Sequence, residues 1–284
     1  MAAIAIEKPD RARSWSRRAV LYLLVPVFLA LAYSTYRWLG IHFHWTRPFV
    51  VDDITMPSIW SIVHALFQPA RVNGPLLITV LLHAAVFTAK EAVIGFALGA
   101  TVGFGLGALL FQSRLIQRGL MPYVVGSQTV PILAVAPMVV VWMQSGWQSV
   151  AAIAAYLTFF PVTINTLRGL QSADPRAVEL MRSYAASPWT VLWKVRVPSA
   201  LPFLFAAFKI SATACVVGAI IGELPSGLQS GLGGAILNFN QYYSIEPQEL
   251  WATNIIASLL GIVFFLGVVG AEKALVRRAP EIRA

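Results

Sequence analysis

The sequence predicts an all-α, polytopic membrane protein with about six transmembrane helices and a polar loop between the fourth and fifth. Three observations carry that expectation. The 284 residues are 58% hydrophobic and only 12% charged, with a mean hydropathy of +0.71, too apolar for a water-soluble domain of that length. The apolar residues come in runs that approach the ~20 needed to cross a hydrocarbon layer of ~30 Å. Lys and Arg concentrate in alternate connections, as membrane orientation demands.

Taken in order, a basic tail occupies residues 1–18 and the first span covers 19–39. An extracytoplasmic segment, 40–75, leads to a core at 76–272. The core's first run ends near 111, and its charge-free part, 92–111, has the length of one crossing, so Lys90 and Glu91 belong near one interface or face the bundle. Further spans are expected at 120–143, 150–167, 201–222 and 250–271, before a tail at 273–284. Lys8, Arg11, Arg13, Arg17 and Arg18, then Arg114 and Arg118, then Arg168, Arg176, Arg182, Lys194 and Arg196, then Lys273, Arg277, Arg278 and Arg283 all fall on one side. The other side holds only Arg37, Arg47 and Arg71, which predicts cytoplasmic termini. Arg17-Arg18, an apolar run and Ala30-Leu31-Ala32 also fit a cleavable signal peptide, but the run is as long as its neighbours and is read as a span.

The net charge of +9 comes without a basic run interleaved with aromatics, so it points to membrane orientation and away from nucleic acid. One cysteine, Cys215, excludes a disulfide framework and a Cys-pair zinc site, and it reads as a small packed residue. His42, His44, His64 and His83 lack metal-ligand spacing, and no Gly-Lys pair exists to make a P-loop, so no metal or cofactor is expected. Gly95, Gly99, Gly103 and Gly107 recur every four residues and stack on one helix face, which suits close helix packing, either in a moving seam or as ordinary small-residue contact. Lys209 is expected to reach an interface, to form a structural ion pair or to lie on a solute path; Glu223 is expected to close the fifth span at an interface.

The insert at 174–198, within "DPRAVELMRSYAASPWTVLWKVRVPSALP", breaks the apolar pattern. Asp174-Pro175 and Ser187-Pro188 each put a good N-cap before a proline suited to the first helical turn, which predicts two short helices. Ala177, Leu180, Met181 and Tyr184 make one apolar stripe, Trp189, Leu192 and Trp193 a second, with Ala185-Ala186 as the turn and Pro198 ending the unit. A pair of this kind either docks a partner or lies on the membrane surface.

The insert resembles the cytoplasmic loop of binding-protein-dependent ABC importer permeases, whose pattern is Glu-Ala-Ala, three residues, Gly, nine residues, then Ile, any residue, Leu-Pro. Glu179 matches the Glu, and Val195, Val197 and Pro198 stand for the end of the pattern; Leu180, Met181 and Ala185 depart from it. Ala185 stands at the glycine, where a turn with positive φ would carry a penalty. "VIGFALGATVGFGLG", "TVPILAVAPMVVVWM" and "FFPVTINTLRGLQSADP" are similar to the nitrate, sulfonate and taurine branch, in which the position of Glu223 often holds a Glu, that of Lys209 an Arg and that of Glu91 an Arg. "GELPSGLQSGLGGAILNFNQYY" is closer to relatives linked to pyrimidine-type thiamine precursors.

The resemblance implies a multi-pass permease subunit of the bacterial inner membrane, working as a homodimer by alternating access. It also implies a separate ATPase pair on the cytoplasmic loop and an extracytoplasmic solute-binding protein, with no hydrolysis by this chain. Glu179 would be a polar anchor beside Arg182, and Ala185, Ala186, Ser187, Pro188 and Trp189 the contact tip, with Pro198 closing the loop. A secondary transporter or channel would show inverted repeats, and none is visible. A membrane enzyme would need paired carboxylates or an activated nucleophile, and Asp174 and Glu179 have no His nearby.

Overall fold

A computed structural model describes residues 11–45, 50–144 and 146–276, without the side chains of 11–23 and 276. The expectations for Lys8, Arg47, Arg277, Arg278 and Arg283, and for the side chains of Arg11, Arg13, Arg17 and Arg18, fall outside the described residues. The described residues form eleven α-helices in order: α1 Arg11–His42, α2 Ile59–Leu66, α3 Leu77–Gln112, α4 Arg114–Gly126, α5 Ile132–Trp142, α6 Trp147–Gln171, α7 Pro175–Ser183, α8 Pro188–Val191, α9 Val197–Ser226, α10 Leu232–Gln241 and α11 Pro247–Val276. Among the described residues there is no strand, only an isolated bridge between Pro69 and Leu76.

Among the described residues five helices are long and apolar enough to span a membrane, and the expected third span is not a straight helix. It is α4 and α5, joined by a 3-10 turn and bent by 97°. Prolines explain the break. Pro131 pushes Val130 to an extended conformation (φ −77°, ψ 119°) and is itself extended, so no helix can run through.

The core is three helices deep, with α6 between α3 and α9. Gly95, Gly99, Gly103 and Gly107 all face α6, where an added Cβ at Gly99 or Gly103 would meet the carbonyl oxygen of Ala155 or Phe159 at 2.5 Å. The neighbouring face of α6 is also closely packed: a Cβ at Gly218 would lie 3.0 Å from Ala154 Cα, and one at Gly222 3.1 Å from Val150 Cα. In lipid, such small-residue seams supply the attraction that leaving water supplies elsewhere. Cys215 packs in this centre, fully buried with Ala92, Val150, Ala154 and Ala219.

Outside the core, Arg37 of α1 binds Met56 O at 2.7 Å and pairs with Asp53, and Tyr33 donates to Pro57 O at 2.8 Å. The segment before α2 therefore folds back over the end of the first span.

Candidate functional site

Two constructions stand out, a polar junction inside the bundle and the loop between α6 and α9. At the junction, Glu223 is fully buried rather than interfacial, because α9 continues past it to Ser226. Thr88 of α3 donates to Glu223 Oε1 at 2.6 Å, and the backbone N–H of Gly233 in α10 donates to Oε2 at 2.5 Å. Thr88 Oγ1 in turn accepts from Leu232 N at 2.9 Å. One carboxyl thus fastens three helices where an unpaired one would be costly. Glu91, three residues after Thr88 on the same face of α3, is 2% exposed, faces Glu223, and has no donor to either carboxyl oxygen among the described residues. No Lys or Arg answers this pair among the described residues.

Lys209 takes the structural option. Its ammonium lies 2.6 Å from Glu272 near the end of α11, with both side chains about three-quarters buried. The sequence reading missed Glu272 because the pair links positions 63 apart, which no local pattern signals.

The loop at 174–198 carries both N-caps as the sequence predicts. Asp174 accepts from Arg176 N at 2.9 Å and Ser187 from Thr190 N at 3.2 Å. Between them α7 ends in a Schellman motif: Ala186 N binds Met181 O at 3.0 Å, and Ala185 N binds Arg182 O at 2.9 Å. Ala185 sits at φ +52°, in the left-handed region where a glycine would carry no penalty.

One expectation for the loop is corrected. The buried stripe of α7 is Val178 with half-buried Met181, packed on Ala173, Val191 and Ala186, whereas Leu180 and Tyr184 are exposed. Ala186 thus belongs to the loop's own small core. Pro198 ends the loop where the next span begins, as expected, but the helix runs through without a break. After α8 a π-helical turn, Leu192–Arg196, carries the helix into α9, with Val197 N bonded to Leu192 O. Pro198 sits in the first turn of α9, where its missing N–H costs little, and the widened turn relieves the clash its ring would make with the turn before.

What remains on the surface is Leu180, Tyr184, Trp189 and Trp193, from 49% to 77% exposed, with the two indoles edge to face at 5.6 Å. Glu179 and Arg182 are exposed beside them and form no ion pair among the described residues. The loop therefore satisfies its interior and still offers aromatic surface.

The binding-protein-dependent transport system inner membrane component family matches residues 95–279, a stretch that includes the glycine seam, the loop and the junction on α9 and α10. The chain belongs to that family. It is similar to the formylaminopyrimidine transport permease protein ThiX of Halalkalibacterium halodurans, 32% identical over 76% of this chain and 90% of the relative. It is 27% identical to the putative aliphatic sulfonates transport permease protein SsuC of Bacillus subtilis, over 90% of this chain and 85% of that one. The fold is shared with the inward-facing MetNI methionine ABC transporter, at TM-score 0.55 and 18% identity over 72% of this chain and 98% of that one. An amino acid ABC transporter gives TM-score 0.57 at 15% identity, over 70% and 95%. The chain is a multi-pass permease subunit of an ABC importer in the nitrate and sulfonate branch, a transport component of the inner membrane.

Proposed function

We propose that this permease imports a small heterocycle of the thiamine-precursor kind, receiving it from an extracytoplasmic binding protein and drawing on a separate ATPase docked at 174–198. Two copies form the pathway, and both termini are cytoplasmic. The likeness to a formylaminopyrimidine permease over 90% of that relative's length carries the solute reading. A sulfonate is the second reading, favoured by the longer but weaker match to the sulfonate permease.

The exposed group Leu180, Tyr184, Trp189 and Trp193 supports docking at the loop, since aromatic surface beside an unpaired Glu179 gains most from a protein partner. Alternating access follows from such docking: closure of the ATPase pair displaces the loop, and the helices it joins move with it.

The test is uptake in proteoliposomes holding this chain, its cognate ATPase and its binding protein. Labelled formylaminopyrimidine should accumulate with ATP inside the loop-side compartment, and an alkanesulfonate should not compete. Accumulation of the sulfonate alone would replace the heterocycle; accumulation driven by an ion gradient without ATP would overturn the ATPase reading.

A further inference from the structure

At the loop end of the bundle α3 stops at Gln112 and α6 at Gln171, and α9 begins after the π-helical turn that closes on Arg196. Between these ends and the start of α4 lies an open cavity of about 640 Å³, lined by Phe111, Arg114, Gln117, Arg118, Gln171 and Arg196. Membrane orientation asks only that cations stay on one side of the bilayer. It does not ask three arginines to converge on one hollow.

The three are held differently. Arg196 is half-buried: its Nη1 donates to the Leu170 carbonyl at 3.0 Å, and its guanidinium lies 4.7 Å from the centre of the Phe111 ring. Both contacts fix the planar group while leaving most of its N–H donors unspent. Arg114 and Arg118, one turn apart on α4, are exposed and make no hydrogen bond or ion pair through their side chains among the described residues. Gln117, between them, lies 3.4 Å from Gln171, which sets α4 against the end of α6. From 92 to 222 the sequence has only two carboxylates, Asp174 and Glu179, and neither lines the cavity. Three positive charges therefore share one hollow with no anion from its own walls to answer them.

We infer that this cavity holds the phosphate of an anionic phospholipid, with Arg196 as the fixed anchor and Arg114 and Arg118 closing on it from α4. Guanidinium groups grip phosphate oxygens in pairs of hydrogen bonds, which suits a phosphodiester. Depth favours a lipid over an acidic protein surface. Spanning helices end at the level of the headgroups, where a basic pocket between helices meets lipid phosphate, and the exposed Leu115 beside Arg114 offers an acyl chain apolar surface.

The experiment uses the full chain purified with its ATPase in phosphatidylcholine micelles and titrated with a fluorescent phosphatidylglycerol. Binding should saturate, and Arg114→Gln or Arg118→Gln should each weaken it about tenfold, with Arg118→Lys weakening it less. Neither side chain has a partner in the protein, so thermal midpoints in phosphatidylcholine alone should stay unchanged. Arg176→Gln, which removes an exposed cation outside the cavity, should bind as the wild type does. Equal binding by the wild type and the Arg114→Gln, Arg118→Gln double variant would overturn the site. Displacement of the lipid by inorganic phosphate at millimolar concentration would make this a site for a soluble anion and overturn the lipid assignment. Loss of the ATPase from the double variant with lipid binding intact would give the arginines to the ATPase and overturn the inference equally.

Discussion

Thr88 Oγ1 and Glu223 Oε1 lie 2.6 Å apart across 135 residues of sequence, joining the first helix of the core to the helix that leaves the loop. Replacing Thr88 with Val keeps the shape and removes the donor, which should cost about 2 kcal/mol, since the hydrogen bond is to a buried carboxyl. Thr88→Ser should restore most of it. Glu91→Gln should be neutral or stabilising, because an amide always offers a donor to the Glu223 carboxyl whereas a carboxyl does so only when it carries a proton. Thermal midpoints of the three variants in one detergent decide the matter; an unchanged midpoint for Thr88→Val would mean that the contact contributes nothing.

Gly99→Leu and Gly103→Leu place a side chain where the Ala155 and Phe159 carbonyls already sit at 2.5 Å from the missing Cβ. Overpacking of this kind should cost about 3 kcal/mol or more and show as loss of monodisperse protein. Leu98→Ala, next in sequence but half exposed, should be nearly silent. Size-exclusion profiles of the three, side by side, provide the check.

Ala185→Gly should be neutral or stabilising by about 1 kcal/mol, because φ +52° strains any residue with a Cβ. Ala185→Val should be worse than either. Thermal midpoints together with retained ATPase distinguish a folding effect from a docking effect.

Glu179→Arg and Trp189→Ala both alter exposed groups on the loop and leave its small core intact. If the loop docks the ATPase, each should weaken co-purification, Glu179→Arg by about a hundredfold if a charge is reversed in the contact. Insertion into the membrane should be normal. Full ATPase retention by both would leave the membrane surface as the place where this loop lies.

Topology can be read in a Cys215→Ser background with single cysteines at Ser187 and Gln229, both exposed. An impermeant thiol reagent should reach position 187 only from the cytoplasm and position 229 only from outside. Labelling of 187 only from outside and of 229 only from the cytoplasm would mean that α4 and α5 together do not cross the membrane, and labelling of both from one face would mean that α9 does not.

The sequence revealed what is local or periodic. Both N-caps of the loop follow from a Ser or Asp placed before a proline, and the glycine seam follows from spacing alone. Gly218 and Gly222 carry the same four-residue signal on α9 and could have been found the same way. The bend was also legible in principle: Pro122, Pro131 and Pro137 crowd one predicted span, but hydropathy windows average over them. The role of Glu223 was not legible. Whether a carboxyl near a helix end meets water or a Thr from another helix is decided by packing, and nothing near Glu223 in the sequence points to Thr88.

At its glycine contacts α6 lies against α3 and α9 with backbone close to backbone, which leaves little compressible material along those seams. The three helices behave as a single strut. The loop, where α6 ends and α9 begins, and the Glu223 junction near the far end of α9 lie at opposite ends of that strut. The give in the molecule must then come from parts hung on the strut by a few bonds, above all the angled α4–α5 segment, which can swing without dismantling the centre.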